Sequence, residues 1–317
     1  MAIVFAKEQK PIEMRAVYQN TLFEILRDNP QVVVMDADLV GASGTAKVFK
    51  EFPDRCINMG ISEANMIGAA AGMSLVGKVP IIHTFAPFAT RRVYDQLYLS
   101  GAYQKANLRI YGSDPGFTSG HNGGTHTSVE DLALMRVMPT ATVLAPADAT
   151  QFAWLLKETS KNYGIFYIRA SRKGLRDIYD SSSTFEIGKG VVLSEGSDVV
   201  IFAIGEMIAE ALNAKAELEK VGLSVAVVDM FTVKPIDVDL VKKMIVGKKV
   251  VVTAENHSKI GGLGSAVAEI MSEEGSGVKL RRVAINDRFG EVGLPNYLQK
   301  TYGLTADDII NAVKEAL

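Results

Sequence analysis

Short runs built almost wholly from aliphatic residues recur along this chain, each followed by a longer stretch with helical periodicity. That alternation constrains the fold more than any other feature. Strands are expected at Val32–Met35, Val79–Thr84, Leu108–Tyr111, Thr142–Leu144 and Ile165–Ile168. Helices are expected near Arg15–Arg27, Glu63–Val76, Ala89–Tyr103, Ser128–Met135 and Ala149–Ser160. A strand with one solvated face alternates apolar and polar residues, whereas a strand apolar throughout has both faces covered. Strands of the second kind, spaced by helices, predict a parallel sheet between helical layers.

The texture changes once. The stretch from Ser171 to about Glu195 is polar and rich in Ser and Gly, with no apolar period of helix length. Afterwards the alternation resumes: a strand at Asp198–Gly205, an amphipathic helix at Met207–Lys220, a strand in LSVAVVDM, a helix at Val238–Met244, a strand in KKVVVTAEN and a glycine-led helix in GLGSAVAEIM. The expectation is two three-layer α/β domains in series, residues 1–185 and 186–317. At 48% hydrophobic residues over 317 positions, the chain can fill two cores.

Charge and cysteine content exclude several classes. Lys and Arg number 34 against 36 Asp and Glu, so no basic excess exists to hold a nucleic acid backbone. The single cysteine, Cys56, excludes an intrachain disulfide or a cysteine zinc cluster. The opening MAIVFAKEQKPIEMR carries charges where a signal peptide needs an apolar core. No apolar stretch approaches the roughly 20 residues of a membrane helix. No membrane association and a cytoplasmic location are therefore expected.

In open α/β sheets, ligands collect at the carboxyl ends of strands. The residues to weigh are Asp36 and Asp38, His83–Phe88, Ser113–His126, Arg169 and Arg172, and Glu255–His257. In GISEANMIGAAAGMSLVG, Ser62 reads as an N-cap and Glu63 stands in the first helical turn, where an acid simply complements the helix dipole. In HTFAPFATRRVYDQ, Phe85 and Phe88 read either as a hydrophobic plug or as the wall of a pocket for a flat heterocycle. SDPGFTSGHNGGTHTSVED is a long glycine-rich loop with two histidines, His121 and His126, and loops of that length in compact domains usually carry function. It has neither metal-ligand spacing nor a phosphate-loop pattern. The glycines of NHSKIGGLGSAVAEIM are spaced wrongly for a dinucleotide loop and read as tight strand-to-helix packing.

Taken in order, MRAVYQN, DADL, GISEANMIGAAAG, TFAPF, GGTH, IRASR, VKPID and ENHSKIGGLGSAVAE resemble the C-terminal half of a transketolase over essentially the whole chain. The resemblance implies a thiamine diphosphate pyrimidine-binding domain followed by a transketolase C-terminal domain. Gly-Asp-Gly, the family's diphosphate and Mg²⁺ motif, is missing from the sequence. The implied protein is therefore one subunit of a split transketolase, in an α2β2 assembly. A partner chain would hold the Mg²⁺ and the diphosphate, and no metal ligands are expected here. The implied activity moves a two-carbon ketol unit from a ketose to an aldose, both sugar phosphates in the pentose phosphate manner.

By position, Glu63 resembles the glutamate that bonds the aminopyrimidine and promotes its imino tautomer. Phe85 and Phe88 resemble the pyrimidine pocket, and Asp38 an aspartate near the cofactor. His126 resembles a catalytic histidine on substrate oxygens, and Arg15 and Arg172 the phosphate-gripping arginines. His83 is grouped with the substrate-facing residues. Asp114 stands where the family carries histidine, with His121 and Asn122 replacing an acidic pair, so the usual phosphosugar is in question. A deoxyxylulose-phosphate synthase-like subunit, a 2-oxo-acid dehydrogenase β subunit and a non-catalytic paralogue stay open as alternatives.

Overall fold

The computed structural model describes residues 1–7 and 10–317. It divides into two compact units, Met1–Pro115 with Leu134–Phe185, and Gly116–Ala133 with Glu186–Leu317.

In the first unit, strands β1 (Val32–Asp36), β2 (Cys56–Asn58), β3 (Val79–Phe85), β4 (Leu108–Ser113), β5 (Ala141–Leu144) and β6 (Ile165–Ala170) lie in the order β5-β6-β4-β3-β1-β2. Every pairing among them is parallel. All residues of β1, β4 and β6 are buried, so neighbours of either orientation are covered, as the unbroken apolar runs predict. The chain leaves β1 for β2 on one side and returns for β3 on the other. That reversal opens a crevice at the carboxyl ends of β1 and β3, the place where such sheets bind ligands.

One expected helix fails. Ala89–Tyr103 is a broken path: a short turn Ala86–Ala89, a 3₁₀ turn Arg91–Val93, a single α turn Tyr94–Gln96 and a π-helical stretch Leu97–Tyr103. Thr90 leaves the helical region at φ −124°, ψ −86° and turns its hydroxyl back onto the Ala86 carbonyl at 2.7 Å. The break at Thr90 sends Arg92 back toward the end of β3, which matters below.

In the second unit, β7 (Val191–Ser194), β8 (Val199–Ala203), β9 (Val225–Asp229), a short β10 (Thr232–Lys234), β11 (Val250–Ser258) and β12 (Lys279–Ile285) follow in sequence. The sheet runs β12-β11-β8-β9-β7, parallel except for β7 against β9. Two C-terminal helices, Pro295–Thr301 and Ala306–Lys314, were not expected from the sequence.

By packing, Gly116–Ala133 belongs to the second unit, although it lies within the first 185 residues of the chain. The cause is local. Asn256, at the end of β11, accepts from the Phe117 N–H at 3.0 Å, and the Ser258 N–H donates to the Val129 carbonyl at 2.7 Å. Gly116 has φ +53° and a Cβ there would stand 2.0 Å from Asn256 Oδ1, so only glycine permits that approach. A Cβ on Gly124 would likewise meet the Gly290 carbonyl at 2.4 Å.

Candidate active site

Glu63 opens the helix Glu63–Leu75 and is 4% exposed. The helix is expected from its small apolar residues, but Ser62 makes no side-chain cap, so Glu63 is the first-turn acid without the capping role beside it. The Glu63 carboxylate instead accepts from Arg92 Nη1 at 2.7 Å. The Arg92 guanidinium lies 3.6 Å over the centroid of Phe88, a cation–π stack. Phe88 in turn stands 6.1 Å from Phe85, centroid to centroid, at 52°. Phe85, the last residue of β3, and Phe88, in the short turn after it, thus stand side by side with a buried carboxylate at one end.

A second arginine–carboxylate pair closes the other end. Arg172 lies over Phe85 at 4.7 Å, and its Nε donates to Asp114 Oδ2 at 2.6 Å. The Arg172 backbone N–H also donates to Asp114 Oδ1 at 2.8 Å, and Nη1 donates to the Ala42 carbonyl at 3.2 Å. Asp114 sits at φ +54°, a left-handed conformation that Asp and Asn tolerate better than most residues. Two charge-assisted bonds make this acid a clamp on the arginine rather than a free negative charge.

Arg15 reaches the same place through the backbone, its N–H donating to the Arg172 carbonyl at 3.0 Å. Its side chain pairs with Glu13 at 2.9 Å, and both groups are about half exposed, at 48% and 53%. Asp38 is exposed with φ +62°, and its Oδ1 accepts from Asn58 Nδ2 at 3.1 Å. It caps the crevice at the end of β1.

The structure corrects His83. The side chain is fully buried, with Nδ1 bonded to Asp36 Oδ2 at 2.8 Å and Nε2 to Ser113 Oγ at 3.0 Å. Asp36 Oδ1 accepts from the Leu39 N–H, and Oδ2 also lies 3.5 Å from Ser43 Oγ. A buried acid favours Nδ1–H on the ring, leaving Nε2 to accept from the serine hydroxyl. With both nitrogens engaged, His83 does not face substrate; it ties together the ends of β1, β3 and β4. The Tyr18 and Tyr111 rings flank it at 5.8 and 5.0 Å. Burial pushes both phenols well above their ordinary range, so they remain neutral. In the sequence Asp36 stands only as one of two strand-end acids, and the resemblance singles out Asp38 instead.

His126 is half-buried and belongs to the second unit, where its Nδ1 lies 2.9 Å from Thr125 Oγ1. The strand-end residues of that unit have structural roles. Glu255 accepts from the Leu263 and Gly264 N–H groups at 2.7 and 2.8 Å, completing the start of a helix. His257 Nδ1 bonds the Ser258 carbonyl at 2.8 Å, and its Nε2 accepts from the Ala133 N–H at 3.4 Å. The close glycine packing expected here is present: a Cβ on Gly262 would lie 1.9 Å from Glu255 Oε2. In the second unit, segment 116–133 is bonded to the end of β11 through Asn256, His257 and Ser258. The first unit's crevice, with its two arginine–carboxylate pairs stacked on Phe88 and Phe85, is the candidate site.

Comparison with known proteins gives two family matches: the transketolase pyrimidine-binding domain over residues 10–177 and the transketolase C-terminal domain over residues 188–309. The chain is 44% identical over 302 residues to the 6-deoxy-6-sulfo-D-fructose transketolase subunit SqwH of Clostridium sp. (strain MSTE9), covering 95% of this chain and 94% of the relative. It is 41% identical over 306 residues to a putative transketolase C-terminal section of Methanocaldococcus jannaschii, covering 96% of each. A solved structure described as a split gene transketolase, inactive beta4 tetramer, superposes with a TM-score of 0.88 at 44% identity, covering 97% of this chain and 99% of that one. Among the described residues, no helix is long and apolar enough to cross a membrane.

Proposed function

The chain belongs to the transketolase family, and on that premise we propose that it is the pyrimidine-binding subunit of a split, thiamine diphosphate-dependent transketolase. Its partner chain would hold the diphosphate and Mg²⁺, in an α2β2 assembly. The reaction is transfer of a two-carbon ketol unit from a ketose to an aldose. When bound, thiamine diphosphate supplies the nucleophilic carbon.

One observation carries the reading. A flat N–H donor stacked 3.6 Å above Phe88 reaches the Glu63 carboxylate at 2.7 Å. That donor is Arg92, but its chemistry is also that of an aminopyrimidine: planar, π-stacked and hydrogen-bonded to a buried acid. The residues present therefore fit the cofactor's ring. Glu63 would share a proton with a ring nitrogen, Phe85 and Phe88 would exclude water, and Asp38 would border the crevice. His126 would contact substrate oxygens.

Arg15 and Arg172 would meet the substrate's far terminus, and Asp114 sets the charge they offer. Arg172 is already neutralised by an acid at 2.6 Å, and Arg15 is paired with Glu13. Such a site suits a terminus with one negative charge better than a phosphate, which carries about 1.5 to 2 near neutral pH. The sulfo-sugar named for the Clostridium relative has such a terminus, and we propose a singly charged or neutral sugar terminus as the preferred class.

The test is ketol transfer by this chain co-expressed with a Gly-Asp-Gly-bearing partner. Activity should require thiamine diphosphate and both chains. Glu63→Gln should lower turnover by about 10²–10⁴, the contribution of a positioned proton-transfer group. Thermal stability should change by no more than about 1 kcal/mol, because the Arg92 side chain is 43% exposed and the pair is solvent-screened. Unchanged turnover would return Glu63 to the role of a first-turn acid.

A further inference from the structure

The guanidinium that demonstrates the fit also occupies the place. Arg92 covers the face of Phe88 at 3.6 Å and donates to Glu63 Oε1 at 2.7 Å. A ring stacked on that face and bonded to that oxygen cannot be present together with it. We propose that Arg92 is a built-in stopper of the aminopyrimidine pocket, displaced whenever the cofactor binds. The inference rests on the assignment of Glu63 and Phe88 to the aminopyrimidine.

The local structure suits such a part. The stopper hangs from the broken stretch after Thr90, a 3₁₀ turn of three residues rather than a regular helix. The Arg92 side chain is 43% exposed while Glu63 is 5% exposed, so the arginine can swing into solvent and leave the carboxylate in place. The planar guanidinium keeps water off the Phe88 face and satisfies a buried carboxylate that would otherwise stand unpaired. In binding terms, the closed form reduces apparent affinity by the fraction of chains in which the pocket is shut.

The probe is the pyrimidine half of the cofactor alone, 4-amino-5-hydroxymethyl-2-methylpyrimidine, which needs neither metal nor partner. Its affinity for the full chain is read by ligand-observed NMR. R92A should bind it about three- to tenfold more tightly than wild type, the scale of one partly exposed ion pair with a ring stack. R92K keeps the charge but cannot lie flat on the ring, and should tighten binding as well. R91A, which removes a neighbouring exposed charge, should match wild type. Equal or weaker binding by R92A overturns the inference, because the arginine is then neutral or an attractive contact. Equal tightening by R91A also overturns it, as a bulk charge effect, and so does no binding by any form. Should R92A fail to fold, R92K decides in the same way. Thiamine diphosphate-dependent ketol transfer by the wild-type complex judges the proposed function separately: an active complex with no tightening sinks the stopper alone.

Discussion

Asp114→Asn should convert the terminal subsite from one that disfavours phosphate to one that accepts it. Asparagine is the suitable replacement because position 114 has φ +54°, which Asn adopts more readily than most residues. Its amide oxygen can still accept the Arg172 backbone N–H that now bonds Asp114 at 2.8 Å. Its NH₂, however, cannot accept from Arg172 Nε, where the carboxylate now accepts at 2.6 Å. The guanidinium is thereby released toward substrate. A hydrogen bond to a charged group contributes about 1.5–3 kcal/mol, and at 1.4 kcal/mol per decade that is about a 10- to 150-fold gain in affinity. Removal of repulsion between Asp114 and a phosphate acts in the same direction. The assay is initial rates of the reconstituted enzyme with three donors that differ only at C6: fructose 6-phosphate, 6-deoxy-6-sulfofructose and fructose. KM should fall most for the phosphate, less for the sulfonate and not at all for the neutral sugar. An unchanged ratio of KM values among the three would refute the reasoning, because Asp114 would then not set the charge the site presents.

Arg172→Ala should raise KM for anionic sugars and also leave Asp114, which is 4% exposed, without its ion-pair partner. The double variant with Asp114→Asn should recover stability, with a coupling of about 1–3 kcal/mol in the thermal-denaturation cycle; an additive cycle would mean the pair is inert. Arg15→Ala removes only a half-exposed pair and should change stability by less than about 0.5 kcal/mol, with a smaller KM effect confined to anionic sugars. The third expectation concerns pH. Burial, and secondarily the neighbouring Asp177, push the Asp148 carboxyl up to about 6 against three backbone or capping N–H bonds that pull it down. A carboxyl raised on folding stabilises fully below its unfolded value, and that contribution is lost as pH rises through the folded value. Asp177→Asn relieves the repulsion, so its Tm relative to wild type should climb between about pH 4 and pH 6; a flat difference curve would contradict the assignment.

The fold was legible where burial dictates composition. A strand covered on both faces must be apolar at every position, and Val79–Thr84 was found as Val79–Phe85 for that reason. The edge strand Cys56–Asn58 has three residues and no pattern to detect. The helix expected over Ala89–Tyr103 has suitable side chains, but its backbone breaks at Thr90, and a propensity sum does not register a hydroxyl folded onto a carbonyl. The helix Ala306–Lys314 was missed although its signals were present: Thr305 and Asp308 form a reciprocal capping box. The segment 116–133 could not be assigned from its place in the chain. Its partner, Asn256, lies 139 residues from Phe117.

Legibility of the site followed the same division between residue type and partnership. The strand-end rule singled out Phe85, Phe88, Asp114 and Arg172, and the motif that opens the helix Glu63–Leu75 added Glu63. It could not find which charges neutralise which. Asp114 read alone is an acid facing an anion, and the inference is repulsion. Joined to Arg172 across 58 residues of sequence, it also withdraws the arginine from substrate, a second effect with the same sign. Glu63 read alone is a waiting proton carrier. Joined to Arg92 across 29 residues, it is a carboxylate already engaged, so cofactor entry becomes an exchange of partners rather than the filling of a void. His83 read alone is a substrate ligand; between Asp36 and Ser113 it is a strut. In each case the residue's charge or donor count is fixed by its type, but the part it offers a ligand is what remains after its nearest partner. That remainder depends on contacts made by folding, and under the proposed function it is the quantity that would decide between a phosphate and a sulfonate.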